Sequence, residues 1–149
     1  MSIGVHVSVD GVRIPLARAR VSEIARSVLK AERVHDAMLS VTFLGGRAMA
    51  ALNRRHLGHR GATDVIAFGL GRSVPGGPVV GDIYIAPDVA RANALKHRAS
   101  VREELTRLIV HGVLHVLGYD HAADDSRMPS PMWARQERLV ARVMKEAAA

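Results

Sequence analysis

Residues 111–121 read HGVLHVLGYDH and gather three of the chain's eight histidines, His111, His115 and His121, within eleven residues. On a helix, a spacing of four puts His111 and His115 on one face, one turn apart. Gly118 follows where such a helix is expected to stop, because glycine readily takes the left-handed conformation of a C-terminal cap. The chain can then turn back and bring His121 towards the pair. Three neutral imidazoles converging from one side hold Zn²⁺ and leave its fourth position to water. His111, His115 and His121 are therefore read as the ligands of one Zn²⁺ per chain. The competing reading is a hydrogen-bonded histidine cluster with no ion. A lone His pair is more often surface or satisfied core than a metal site, and the third His after the helix-ending glycine favours the metal.

The frame H-x-x-x-H-x-x-G-x-x-H is shared with the metzincin proteases, which need Glu directly after the first His to activate the zinc-bound water. Here that position is Gly112, so peptide hydrolysis by that route lacks its base. Glycine inside a helix costs about 0.5–1 kcal/mol relative to alanine. Close approach of a substrate or of a neighbouring element would explain its presence.

The elements that must position these side chains follow from periodicity. Ile3, Val5, Val7 and Val9 alternate as a strand over 3–9, and Asp10-Gly11 signals a turn. Pro15 suits a helix's first turn, and Val21, Ile24, Ala25, Val28 and Leu29 continue at helical spacing to about Ala31. A strand over 38–44, a helix from about Arg47 to Leu57, a loop over 58–63 and strands over 64–70 and 79–86 come next. A loop at 71–78 joins the last two, and Pro87 opens a short helix to about His97. Ser100 and Glu103 form a capping box for the helix that carries the histidines. After a polar loop over 122–129, Ser130-Pro131 begins a final helix with Trp133, Leu139, Val140 and Val143 on its apolar side. The expected fold is α+β: one domain over 1–149, a four-stranded mixed sheet packed with about five helices, and the histidine helix central and buried.

Composition sets the surroundings. With 149 residues and 48% apolar, the chain can bury one core and is too short for two comfortable domains. It has no cysteine, so any ion must be held by imidazole or carboxylate, and a reducing compartment is compatible. Neither a secretory signal at MSIGVHVSVDG nor an apolar run long enough to span a membrane is visible. The formal net charge of +7 points to a polyanionic partner, nucleic acid or a membrane surface, against the plainer reading of a merely soluble, positively charged protein. Between Ala37 and Gly81 the only acid is Asp64, against Arg47, Arg54, Arg55, Arg60 and Arg72, a strip suited to phosphates. Aromatic residues are too scarce for a base-stacking platform.

At the histidines the sequence resembles the YbeY-type endoribonucleases, bacterial rRNA maturation and ribosome quality-control factors. Their signature H-G-x-L-H-L-x-G-Y-D-H is met by His111, Gly112, Leu114, His115, Gly118, Tyr119, Asp120 and His121, with Val116 in place of Leu. Leu52-Asn53, Thr63-Asp64-Val65 with Phe68, Gly81-Asp82-Ile83, and Met132 with Gln136-Glu137 extend the likeness in the same order. The resemblance implies an α+β fold, a Zn²⁺ on three His, and cleavage of single-stranded RNA, including 16S rRNA 3′ end maturation. It also implies a cytoplasmic location and contact with the small ribosomal subunit. Departures fall outside the ligands. His56 and Leu57 stand where the family has Tyr-Arg, Ala62 where it has Pro, and Ala67 where it has Ser. That Arg is thought to contact RNA, and Arg54, Arg55 or Arg60 are the candidates to take its place.

The expected activity is that of a zinc-dependent endoribonuclease, with His115 and Asp120 as candidate catalytic residues. Asp120 has an alternative role as a turn residue or as a partner orienting a histidine. Asp64 and Asp82 are candidates for the same orienting role, and Tyr119 is assigned to packing. The rival reading is a non-catalytic ribosome-assembly factor that binds rRNA or ribosomal proteins around a structural zinc. Structural zinc normally takes four protein ligands, and only three are apparent.

Overall fold

The computed structural model describes residues 2–57, 63–72, 74–119 and 131–148. Four strands form one sheet: β1 (Ile3–Asp10), β2 (Ala37–Leu44), β3 (Val65–Arg72) and β4 (Val79–Ile85). Five helices accompany them: α1 (Arg18–Ala31), α2 (Gly46–Leu57), α3 (Pro87–His97), α4 (Val101–Val116) and α5 (Pro131–Ala148). The α+β architecture with a mixed sheet is therefore as the periodicity implies.

The strand order is β1-β2-β4-β3. β1 runs parallel to β2 and β2 parallel to β4, while β3 closes the sheet antiparallel to β4. Parallel neighbours need a crossover, and α1 supplies it between β1 and β2. Along β2, Ala37, Leu39, Val41 and Phe43 are all buried, and along β4 so are Val79, Ile83 and Ile85. These residues form the sheet side of the main core, and Val21, Ile24, Val28 and Leu29 of α1 form part of its helical side.

Two boundaries and one cap differ from the sequence reading. The first helix begins at Arg18, leaving Pro15 in the segment before it. β3 extends through Gly71 and Arg72, which the sequence assigns to a loop, because a register shift between Gly69 and Gly71 lets the strand continue past an irregularity. The capping box is half made. Ser100 Oγ accepts from the Glu103 amide at 3.0 Å, but the Glu103 carboxylate is drawn to Arg107.

α4 lies at the centre, touching β3, β4, α1, α3 and α5. Leu105, Ile109, Val110, Val113 and Leu114 are wholly buried on it, so its apolar circumference is covered nearly all round. Small residues let the helix sit close to the sheet. A Cβ added at Gly81 would stand 2.4 Å from Val116 Cγ1, and one at Gly69 would stand 3.0 Å from the Val116 carbonyl oxygen. From the helix side, a Cβ at Gly112 would meet Ile83 Cγ2 at 2.7 Å. Gly112 is thus explained by the neighbouring strand. On the opposite face of the sheet, Met49 and Leu52 of α2 cover Ile66, Phe68 and Tyr84, with His56 edge-on to Phe68.

Candidate metal centre

The histidine pair stands in the last two turns of α4, whose C-terminal end is closed by two backbone bonds. The Gly118 amide donates to the His115 carbonyl and the Tyr119 amide to the Leu114 carbonyl, both at 3.0 Å. This is a Schellman turn, and Gly118 takes the positive φ of 102° that it requires. The helix ends where the sequence places its end, and the chain reverses just before Asp120 and His121. Those two residues lie outside the described part of the structure, as does Arg60. His111 and His115 are therefore the described members of the expected ligand set, and among the described residues no group of three or more His, Cys, Asp or Glu is placed to hold a metal. Their chemistry suits zinc: both are imidazoles, both are only partly accessible, and a rigid helix holds them one turn apart.

α5 fixes the His111 side of the helix. His111 Nδ1 lies 2.8 Å from Gln136 Oε1, and Gln136 Nε2 donates to Glu137 Oε2 at 3.1 Å. Gln136 is 3% exposed. Arg107, one turn before His111, grips the same Glu137 through Nε at 2.9 Å and Nη2 at 3.1 Å. It also reaches Glu104 and Glu103, each at 3.3 Å. Burial pushes the Glu137 carboxyl up, but hydrogen bonds from Arg107 and Gln136 and the guanidinium's charge outweigh it and hold the group below the usual glutamate value. Glu104 is buried, and Arg107 offsets the cost of its charge, with His97 Nδ1 farther off at 3.7 Å.

A second clamp holds the turn after the helix. Tyr119 Oη donates to Glu32 Oε1 at 2.6 Å, and Arg135 Nε donates to Glu32 Oε2 at 2.8 Å. The hydrogen bond to Glu32, then desolvation and the carboxylate's charge, raise the Tyr119 hydroxyl above its ordinary pKa, against the opposing pull of Arg135. Tyr119 thus anchors the point at which the chain leaves α4 for His121. Beside His111 lies a cleft of about 570 Å³, bordered by Asp64, Arg107, Gln136 and the half-exposed Trp133.

The other candidates separate. Asp64 accepts from Asn93 Nδ2 at 3.0 Å and lines the cleft beside His111. Asp82 does not join it. Its neighbours Gly81 and Ile83 face α4, so alternation along β4 puts Asp82 on the opposite face, where Ser40 Oγ donates to it at 2.7 Å. Arg54 and Arg55 are exposed in the last turn of α2, and Arg47 is exposed near its start. Arg72 is exposed too, but its guanidinium is engaged by the Gly77 carbonyl across the β3–β4 connection. The sequence reading assigned no role to Arg107, and none to Gln136 and Glu137 beyond the family likeness. Gln136 carried a signal of its own: it falls in the apolar stripe of α5 between Met132 and Leu139, where a polar side chain must find partners.

The model of the family described as Endoribonuclease YbeY matches residues 9–144. A protein of that name from Anaeromyxobacter sp. is 38% identical over 146 residues, covering 95% of this chain and 76% of that one. One from Thermobifida fusca is 37% identical over 136 residues, covering 86% of each. A Thermotoga maritima protein solved in solution superposes with a TM-score of 0.65 at 23% identity, over 97% of this chain and 91% of that one. At that identity the likeness is one of fold.

Proposed function

This chain belongs to the endoribonuclease YbeY family, and from that premise we propose that it is a zinc-dependent endoribonuclease acting on single-stranded RNA in rRNA processing. In this reading it matures the 3′ end of 16S rRNA and serves ribosome quality control in the cytoplasm, in contact with the small ribosomal subunit, as a single hydrolase domain. The observation that carries the metal-centred part is the supported pair His111 and His115, with α5 hydrogen-bonded to the first and the Schellman turn directing the chain towards His121. His111, His115 and His121 would hold the ion. Bound zinc supplies a water of lowered pKa and polarises a phosphoryl oxygen.

The chain's own residues do the rest. Arg107, Glu137 and Gln136 hold His111, while Glu32 and Arg135 hold Tyr119 and with it the start of the segment bearing Asp120 and His121. Arg54 and Arg55 present two cations to the RNA backbone, and Arg60 adds a third in sequence. Asp120 is the nearest carboxylate in sequence for proton transfer. No helix among the described residues is long and apolar enough to cross a membrane.

The test incubates purified protein with single-stranded RNA, with and without chelator, beside His115→Ala, with elemental analysis of the same preparation. Zinc near one per chain and cleavage abolished by both treatments are expected. Cleavage untouched by either would remove the metal from the mechanism. Zinc-loaded protein that leaves RNA intact and travels with the small subunit would identify a non-catalytic assembly factor.

A further inference from the structure

We propose that Gln136 is a positioning residue that fixes the tautomer of His111, holding its hydrogen on Nδ1 and presenting Nε2 as the lone-pair nitrogen for a metal. The inference deepens the metal-centred reading above and rests on it for the role of Nε2. The tautomer itself is a property of the chain without metal.

Arg107, Glu137, Gln136 and His111 contact one another in series. Arg107 has only donors, and two of its N–H groups engage the Glu137 carboxylate. Glu137 is thereby an ionised group that only accepts, consistent with its depressed pKa. The Gln136 atom 3.1 Å from Glu137 Oε2 must then be the amide nitrogen, since a carbonyl oxygen there would face a carboxylate oxygen with no hydrogen between them. The other end of the amide, 2.8 Å from His111 Nδ1, is consequently the oxygen. An amide oxygen accepts and cannot donate, so the hydrogen of this bond belongs to Nδ1 and a neutral ring has its lone pair on Nε2.

Burial makes the assignment binding. Gln136 is 3% exposed, so reversing the amide would leave polar groups facing wrongly with little access to water. An amide at this position has a further consequence. A carboxylate bonded to Nδ1 would fix the same tautomer but set a negative charge directly on the ring, raising its basicity. Here the charge stands one residue farther along, on Glu137, and Arg107 neutralises it.

The experiment reads the tautomer directly. Long-range ¹H–¹⁵N correlation spectra of metal-free, ¹⁵N-labelled protein, taken where histidines are neutral, should show His111 protonated at Nδ1, against the Nε2–H form that free neutral imidazole prefers. Gln136→Met keeps the side chain's length and removes the acceptor. It should release His111 towards the Nε2–H form and weaken zinc binding, measured by chelator competition, by about 10–100-fold. A second variant, Glu137→Gln, can either donate or accept, so both orientations of the Gln136 amide become allowed and the two tautomers should appear together. Wild-type protein with its His111 hydrogen on Nε2 overturns the proposal without need of any variant. Retention of the Nδ1–H form in Gln136→Met overturns it too. Protein that shows the Nδ1–H form, loses it in Gln136→Met and yet binds no zinc supports the positioning role and defeats the metal-centred function instead.

Discussion

Replacing Gly112 with alanine measures how closely the histidine helix lies on the sheet. Away from tertiary contacts, Gly→Ala inside a helix stabilises by about 0.5–1 kcal/mol. At this position the new Cβ would stand 2.7 Å from Ile83 Cγ2 and 3.2 Å from Cδ1 and Cγ1. Ile83 is wholly buried and β-branched, so it has little freedom to withdraw. Overpacking of this kind costs about 1–3 kcal/mol, which exceeds the gain in propensity and leaves a net loss of about 1–2 kcal/mol. In thermal unfolding that is a fall of several degrees. The decisive measurement is a double-mutant cycle by urea denaturation, run without metal so that ligand binding does not mask the difference. Ile83→Ala alone costs about 2–5 kcal/mol. In that background the obstructing methyl is gone, and Gly112→Ala should become neutral or stabilising. Equal effects of Gly112→Ala in both backgrounds would refute the close approach, and with it the account of why glycine stands between the two histidines.

Arg107→Met should destabilise by about 3 kcal/mol at neutral pH, because it leaves the buried Glu104 with only the more distant, exposed His97 and removes the main partner of Glu137. Glu137 titrates below the usual glutamate value of 4.5 in the fold, so its contribution is complete above that value and drains away as the pH falls through the lower folded pKa. The wild-type advantage over Arg107→Met should shrink below about pH 4.5 in chemical denaturation, and a gap constant down to acid pH would contradict the ion-pair assignment. Tyr119→Phe removes the 2.6 Å bond to Glu32 and should cost about 1–2 kcal/mol in urea, with Arg135 still holding the carboxylate. A loss under a few tenths would mean that the turn is held by packing alone. Arg54→Ala with Arg55→Ala should leave stability within about 0.5 kcal/mol, both residues being exposed. If they neutralise phosphates, the salt dependence of single-stranded RNA binding should flatten by about 0.7 per arginine removed, and an unchanged slope would place the RNA elsewhere.

Most of the elements, and the stretch that holds the candidate site, are legible in local residue patterns. Alternation marks β1, β2 and β4, and helical spacing with Pro87 and Ser100 marks α3 and α4 to within a residue or two. These signals are legible because they are local: a period of two or of 3.6 is written in adjacent residues. The same holds for the His111–His115 pair and for Gly118, since helix geometry and the left-handed cap involve only near neighbours. Tertiary structure decided what joins residues far apart. β4 pairs with β2 and sends β3 to the edge, Gly112 faces Ile83 of the neighbouring strand, and Asp82 turns away from the histidines that Asp64 lies near. The support of His111 by Gln136, Glu137 and Arg107 depends on α5 packing beside α4. No period in either helix fixes how the two are set against each other. That comes from burying both apolar faces against one sheet at once, and only then do a guanidinium, a carboxylate, an amide and an imidazole fall into line.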